Sequence, residues 1–280
     1  MKIKIISDST CDLPAELVAK YDIAITPLVV VKDNQPYVDG ETITPAEIFA
    51  HVAAGGSLCS TAALNIGDYH RVFEKYAAEY DGVIHINIGS GFSSCHQNAC
   101  LAAEDFDNVR VVDSNSLSTG QGQVVLEACR LAETATDLDE LKAQLDEFTK
   151  HVEISFLLDR LDYMAKGGRC SSATALGANL LHLKPCIEVK DGKMSVVKKY
   201  RGSYAKCLGN YVKDRLANRE DLTRDILFVT YTVVDEECYR AVMDNVEAYG
   251  HFNTVIECTA GCTISCHCGP GTLGIVYIRK

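Results

Sequence analysis

The 280-residue sequence is informative first for what it lacks. It has no run of about 18 apolar residues, so no membrane-spanning helix is expected. It has no Gly/Ser-, Pro- or Gln/Asn-rich tract and no repeat at a solenoid period, which argues against disorder and against a stacked-repeat architecture. Lys and Arg nowhere cluster, and the formal net charge is -11, so most of the surface repels nucleic acid and anionic membrane. The first residues, MKIKIISDSTCDLP, carry a short apolar run broken by Ser7, Asp8 and Ser9. That pattern is too short and too polar for a signal peptide, and the chain is expected to stay in the cytoplasm.

Several chemical signatures are missing as well. The stretch Gly89-Ser90-Gly91-Phe92-Ser93-Ser94 lacks the lysine and spacing of a phosphate loop and the third glycine of a dinucleotide fingerprint. A GxSxG nucleophile elbow is absent, which argues against a hydrolase of that type. The 13 cysteines, an odd number, read as reduced thiols and not as a disulfide framework. Cys258, Cys262, Cys266 and Cys268 surround His267, but their CxxxC, CxxxC and CxC spacings match no common zinc pattern. Read as a strand, the CxC pair points both thiols to one face, away from His267, so no metal site and no cofactor are assigned. A metal-thiolate protein stays open as the alternative reading of that cluster.

What is present is a rhythm of strands and helices. Strands are expected at Lys2–Ile6, Ile23–Val31, Gly82–Ile88 and Val109–Val112. Helices are expected at Pro14–Lys20, from Thr44 with Pro45 and a capping box to Glu47, and at Asp68–Tyr80, Ser93–Asp105, Thr119–Thr134 and Leu138–Val152. This alternation predicts a three-layer α/β/α domain with a mainly parallel sheet over residues 1–152. Over residues 153–280 the rhythm changes. A strand at Ile154–Leu158, helices at Arg160–Ala165 and Ser172–Leu183, a hairpin around Asp191-Gly192, helices at Ser203–Ala217 and Asp235–Tyr249, a strand at Asp225–Tyr231 and two closing strands predict a mixed sheet with helices on one side.

In parallel α/β sheets ligands sit beyond the carboxyl ends of the strands. Asp8-Ser9-Thr10, Gly89–Ser94 and Asp113-Ser114-Asn115-Ser116 occupy such positions, and Ser60-Thr61-Ala62 precedes a further helix. The Gly89–Ser94 loop offers hydroxyls and free N–H groups at a helix start, which suits a carboxylate or phosphate; equally, Ser93 can simply cap its helix. Lys166-Gly167-Gly168-Arg169 places a guanidinium after two glycines, as anion recognition needs or as a surface turn allows. His267 in a Gly-Pro-Gly turn and Arg201 at a strand end each read as an anion contact or as a structural or exposed residue.

Taken together, these segments resemble the DegV family of bacterial fatty-acid-binding proteins over essentially the whole length. The resemblance is carried by SDSTCDLP at Ser7–Pro14, GSGFSSCHQNA at Gly89–Ala99, VVDSNSLSTGQG at Val111–Gly122, YMAKGGRCS at Tyr163–Ser171, LKPCIEVKDGKM at Leu183–Met194, KKYRG at Lys198–Gly202 and HCGPGTLG at His267–Gly274. It implies two α/β domains with a fatty-acid tunnel at their junction and a non-catalytic role: holding a long-chain fatty acid, in some members for a separate fatty acid kinase subunit. Matched residue by residue, Thr61 and Ser93 fall on the family's carboxylate-binding positions, Arg169 on its GGR arginine and His267 on its HxGPG histidine. Arg201 falls on a basic position that helps dock the kinase. The chain departs from the family where Thr61-Ala62-Ala63-Leu64 replaces Thr-Ser-Gln-Pro, where Ser94, a possible additional headgroup donor, replaces a glycine, and where His96 replaces an aromatic residue. The alternative reading is an enzyme acting on a small carboxylated or phosphorylated metabolite.

Overall fold

The computed structural model describes residues 1–176 and 183–280. In chain order its elements are β1 (Ile3–Asp8), α1 (Ala15–Lys20), β2 (Ala24–Thr26), β3 (Val29–Lys32), β4 (Gln35–Val38), α2 (Pro45–Ala53), β5 (Ser60–Ala62), α3 (Ile66–Ala77), β6 (Gly82–Asn87), α4 (Cys95–Ala103), β7 (Val109–Asp113), α5 (Thr119–Ala132) and α6 (Leu138–Phe148). They continue with β8 (Val152–Leu157), α7 (Asp162–Gly167), α8 (Ser171–Leu176), β9 (Leu183–Lys190), β10 (Lys193–Arg201), α9 (Tyr204–Leu216), β11 (Ile226–Tyr231), α10 (Glu236–Tyr249), β12 (Thr254–Thr259), α11 (Cys262–Cys268) and β13 (Leu273–Ile278).

The first half forms a parallel sheet, β2-β1-β6-β7, as the βα rhythm predicts. Every residue of β6 is buried, the mark of a strand covered on both faces. Tyr69, Phe73 and Ala99 of α3 and α4 cover one face; Val124, Val125, Leu141 and Leu145 of α5 and α6 cover the other. The second half is a mixed sheet, β10-β9-β8-β13-β11-β12, in which only β11 and β12 run parallel. Helices α9 and α10 pack on one face of it through Leu208, Val212, Val242 and Val246. Among the described residues, no helix is long and apolar enough to cross a membrane.

Three expectations need correction. The apolar run Ile23–Val31 is two strands, because Pro27 interrupts it: β2 joins the parallel sheet, while β3 pairs with β4 and β5 in a separate antiparallel sheet. The closing pair of strands contains a helix between them, α11, so Cys262, Cys266 and Cys268 lie on a helix and not on a strand face. The helix expected at Ser172–Leu183 spans Ser171–Leu176, and Leu183 already opens β9; residues 177–182 lie outside the described residues.

Helix α5 joins the two halves. It touches β1 and β6 of the parallel sheet and β8 and β13 of the mixed sheet. Its first two turns are buried all round, from Thr119 to Val125. Two polar groups there are paired: the Gln121 amide donates to Ser7 Oγ (2.9 Å) and to the Ile86 carbonyl (3.2 Å), and the Thr119 hydroxyl meets that of Thr230 at 2.6 Å. One apolar core includes Ile6 and Val83 from the parallel sheet together with Ile154, Phe156 and Val276 from the mixed sheet.

Candidate fatty-acid site

The head of the site forms where segments from both halves meet. A cavity of about 150 Å³ is lined by Thr61 and Ala62 of β5, by Phe92, Ser93 and Ser94 of the loop after β6, by Leu117 ahead of α5, by Arg169, and by Ile264 and His267 of α11. Thr61, Ser93, Ser94, Arg169 and His267 thus come together at one place, though up to 206 residues separate them. Arg201 ends the edge strand β10, is exposed, and does not line the cavity.

Thr61, Ser93, Arg169 and His267 are each hydrogen-bonded within the site. Thr61 Oγ1 lies 2.8 Å from His267 Nε2. Burial and the nearby Arg169 charge push the His267 imidazole down to about 4, so the ring is neutral at pH 7. In the tautomer with the proton on Nε2, His267 donates to Thr61 and leaves the threonine hydroxyl proton free for a ligand oxygen. His267 Nδ1 has no partner among the described residues. Gly167 sits against this ring: a Cβ there would fall 2.5 Å from Nδ1. Gly168, at φ +70°, turns the chain in the left-handed region, which explains the paired glycines before Arg169. Arg169 itself donates from Nη1 to the Gly167 carbonyl (2.6 Å) and from Nε to the Phe92 carbonyl (3.3 Å), tying the turn to the loop after β6.

Ser93 is bonded to the start of α4 and lines the cavity: its Oγ accepts from the Cys95 N–H (3.2 Å). No acceptor among the described residues takes the backbone N–H groups of Ser93 and Ser94. Ser93, whose hydroxyl donates to the Cys95 thiol (3.1 Å), and Ser94 line the cavity at the start of α4, beside a neutral imidazole and a guanidinium. That set suits a carboxylate.

The other strand-end segments support this arrangement without entering it. Asp8, fully buried, accepts from the Tyr69 hydroxyl (3.0 Å), the Asn87 amide (3.0 Å) and the Ile88 N–H (3.1 Å), which fixes the root of the loop. Asp113 Oδ1 accepts from the Ser90 and Asn115 N–H groups. Helix α11 carries His267, and its N-terminus is held by two acidic side chains from the first half. Asp12 accepts from the Gly261 N–H (2.9 Å), and Asp39 accepts from the Cys262 and Thr263 N–H groups (3.0 and 3.3 Å) and from the Thr263 hydroxyl (2.7 Å). Burial, with the Asp39 charge nearby, raises the Asp12 carboxyl to about 8, against the lowering effect of its bonds to Ser118 and Gly261.

Behind the head lies a smaller void of about 30 Å³, lined by Ile154, Phe156, Thr230, Val276 and others, which shares Leu117, Ile264 and Cys268 with the head cavity. Its lining is chiefly apolar. Sequence reading missed Met164, Met194, Ile264 and Leu117 as wall residues; nothing in their local pattern separates a cavity wall from a core. His96 contacts the Cys100 thiol (3.5 Å) on its own helix and does not line the cavity. Cys262 donates to the Ile43 carbonyl (3.1 Å), and Cys262 and Cys266 pack as free thiols with Cys59, Val30, Ile43 and Ile48 in one buried apolar cluster. Among the described residues no three His, Cys, Asp or Glu side chains converge as metal ligands.

Known proteins share this architecture. The family model describing DegV-family uncharacterised proteins matches residues 2–280. A DegV domain-containing protein of Clostridium acetobutylicum is 32% identical, covering 100% of this chain and 99% of its own. A DegV family protein from Thermus thermophilus, described for its fatty acid binding, is 30% identical and superimposes with a TM-score of 0.92 over 100% of both chains. A stearic acid-binding protein from Eubacterium ventriosum is 27% identical, with a TM-score of 0.83 over 99% of this chain and 98% of its own. From a match that runs almost end to end, the chain belongs to the DegV family.

Proposed function

We propose that this protein binds one long-chain fatty acid between two lobes, residues 1–152 and 153–280, and carries it without transforming it. The observation that carries the reading is the meeting of Thr61, Ser93, Ser94, Arg169 and His267 at one cavity, which shares Leu117, Ile264 and Cys268 with a chiefly apolar space beside it. A carboxylate must not be buried unpaired, and the hydroxyls and N–H groups supply its partners. A tail of about fourteen methylenes gains roughly 11 kcal/mol gross on burial, before ordering costs. The two spaces, about 150 and 30 Å³, fall short of the roughly 300 Å³ where ligand pockets begin. The long, unbranched side chains of Met164 and Met194 line the head cavity and are the walls most able to give way to the tail.

The same reading assigns the protein to present its acid to a separate kinase subunit that forms the acyl phosphate, with Arg201 in the docking surface. The exposed Arg201 at the end of an edge strand, clear of the cavity, favours that division of labour. The carrier reading is tested by denaturing extraction and mass spectrometry of the purified protein, with a C14–C18 acid in near-stoichiometric amount as the expected result. Stoichiometric recovery of a small phosphorylated or carboxylated metabolite instead would overturn it. The kinase partnership is tested by adding ATP and a cognate kinase subunit; absence of acyl phosphate removes that assignment and leaves the carrier.

A further inference from the structure

Helix α11 carries His267 in its last turn, yet it is too short to hold its own place. An isolated helix of fewer than about 12–15 residues is marginal in water, and α11 has seven. What grips it therefore decides where the imidazole sits. Cys262 and Cys266 pack against Val30, Ile43, Ile48 and Cys59 of the first half. Apolar contact of this kind is non-directional and does not by itself fix rotation or sliding of the helix. Directional bonds do, and they converge on Asp39.

Asp39 is 5% exposed and does not line the head cavity. Its side chain accepts four hydrogen bonds: from the Cys262 N–H at Oδ1 (3.0 Å), and at Oδ2 from the Thr263 N–H (3.3 Å), the Thr263 hydroxyl (2.7 Å) and the Ser9 hydroxyl (2.9 Å). Asp12 accepts one bond from this end of α11. Asp39 directly follows β4, and its own N–H donates to the Leu28 carbonyl (2.9 Å) just ahead of β3. Strand β3 pairs in turn with β5, where Val30 lies opposite Thr61. The path closes on itself: from Thr61 through β3 to Asp39, from Asp39 to α11, and from His267 back to Thr61 at 2.8 Å. We propose that Asp39 is the positioning residue of the head site; this rests on the fatty-acid reading above. By tying the start of α11 to the sheet that carries Thr61, it sets the Thr61–His267 contact, and with it the threonine proton offered to the acid.

The test is a double-mutant cycle on the delipidated protein, read by titration calorimetry with a saturated C16 acid. Asp39→Asn keeps the size of the side chain, but its amide turns an N–H toward backbone or hydroxyl donors whichever way it lies. Alone it is expected to weaken binding about tenfold; in a Thr61→Val background, where the contact it sets is already gone, by less than about twofold. Thr263→Val removes one of the four bonds, and is expected to weaken binding about threefold with the same suppression. Thermal melts establish which variants are folded, and Thr263→Val decides alone if Asp39→Asn is not. A merely structural role predicts losses of equal size in both backgrounds. That result, or full affinity in the folded single variants, overturns the positioning role and leaves the carrier reading intact. Failure of the wild-type protein to bind the acid overturns the carrier reading and the positioning role with it.

Discussion

The 2.8 Å contact between Thr61 and His267 makes the threonine hydroxyl the most informative single group in the head cavity. Thr61→Val keeps its shape and removes the donor. Fatty-acid affinity is expected to fall about tenfold to a hundredfold, the range for losing a hydrogen bond to a charged group, with Thr61→Ser recovering most of it; titration calorimetry checks both. Asp12 reports differently, through pH. Its ordinary carboxyl value of 3.8 is raised to about 8 in the folded chain, so between those values the folded state holds one proton more than the unfolded state. The contribution is complete below about pH 4 and is lost as pH rises through about 8, at up to about 1.4 kcal/mol per pH unit. Denaturant unfolding between pH 5 and pH 9 should show this slope, and Asp12→Asn should flatten it. Neither role was open to sequence reading alone: Thr61 came from resemblance, and the partners of Asp12, Ser118 and Gly261, lie 106 and 249 residues away.

Helices and strands were legible where their signals were local. Thr44 and Glu47 form the reciprocal capping box their spacing predicts, because both partners lie within one turn. Helix α11 gave no such signal. Its sequence, CTISCHC, is poor in strong helix formers, and its N-terminal N–H groups are satisfied by Asp12 and Asp39 from the far end of the chain. The split of Ile23–Val31 between two sheets is likewise a tertiary fact, marked in the sequence only by Pro27. Helix α5 carries its own test. A Cβ at Gly122 would lie 2.8 Å from the Cys11 carbonyl oxygen and 2.9 Å from Leu13 Cδ2, so the helix approaches its neighbour as closely as glycine allows. Gly122→Ala is expected to cost about 1–3 kcal/mol through overpacking, against the small gain alanine usually brings inside a helix, and a thermal melt will show the sign.

Across the molecule, 12 of the 13 free thiols are buried and Cys100 alone is half-exposed. A thiol reagent should therefore modify about one cysteine rapidly in the native protein and all 13 in denaturant. Rapid labelling of several would show that the interior opens readily. The change from a parallel to a mixed sheet was legible in the change of strand and helix rhythm; the cavity wall was not, since wall and core residues share one composition. Buried helix α5 has a consequence for how the two halves can move. Because its first two turns are buried between both sheets, swinging the halves apart would strand Thr119 without its partner Thr230. The halves should melt in a single calorimetric transition. Under the proposed carrier role, a ligand would then enter and leave by side-chain movement around the rim, and its dwell time, more than its affinity, would be the quantity to measure.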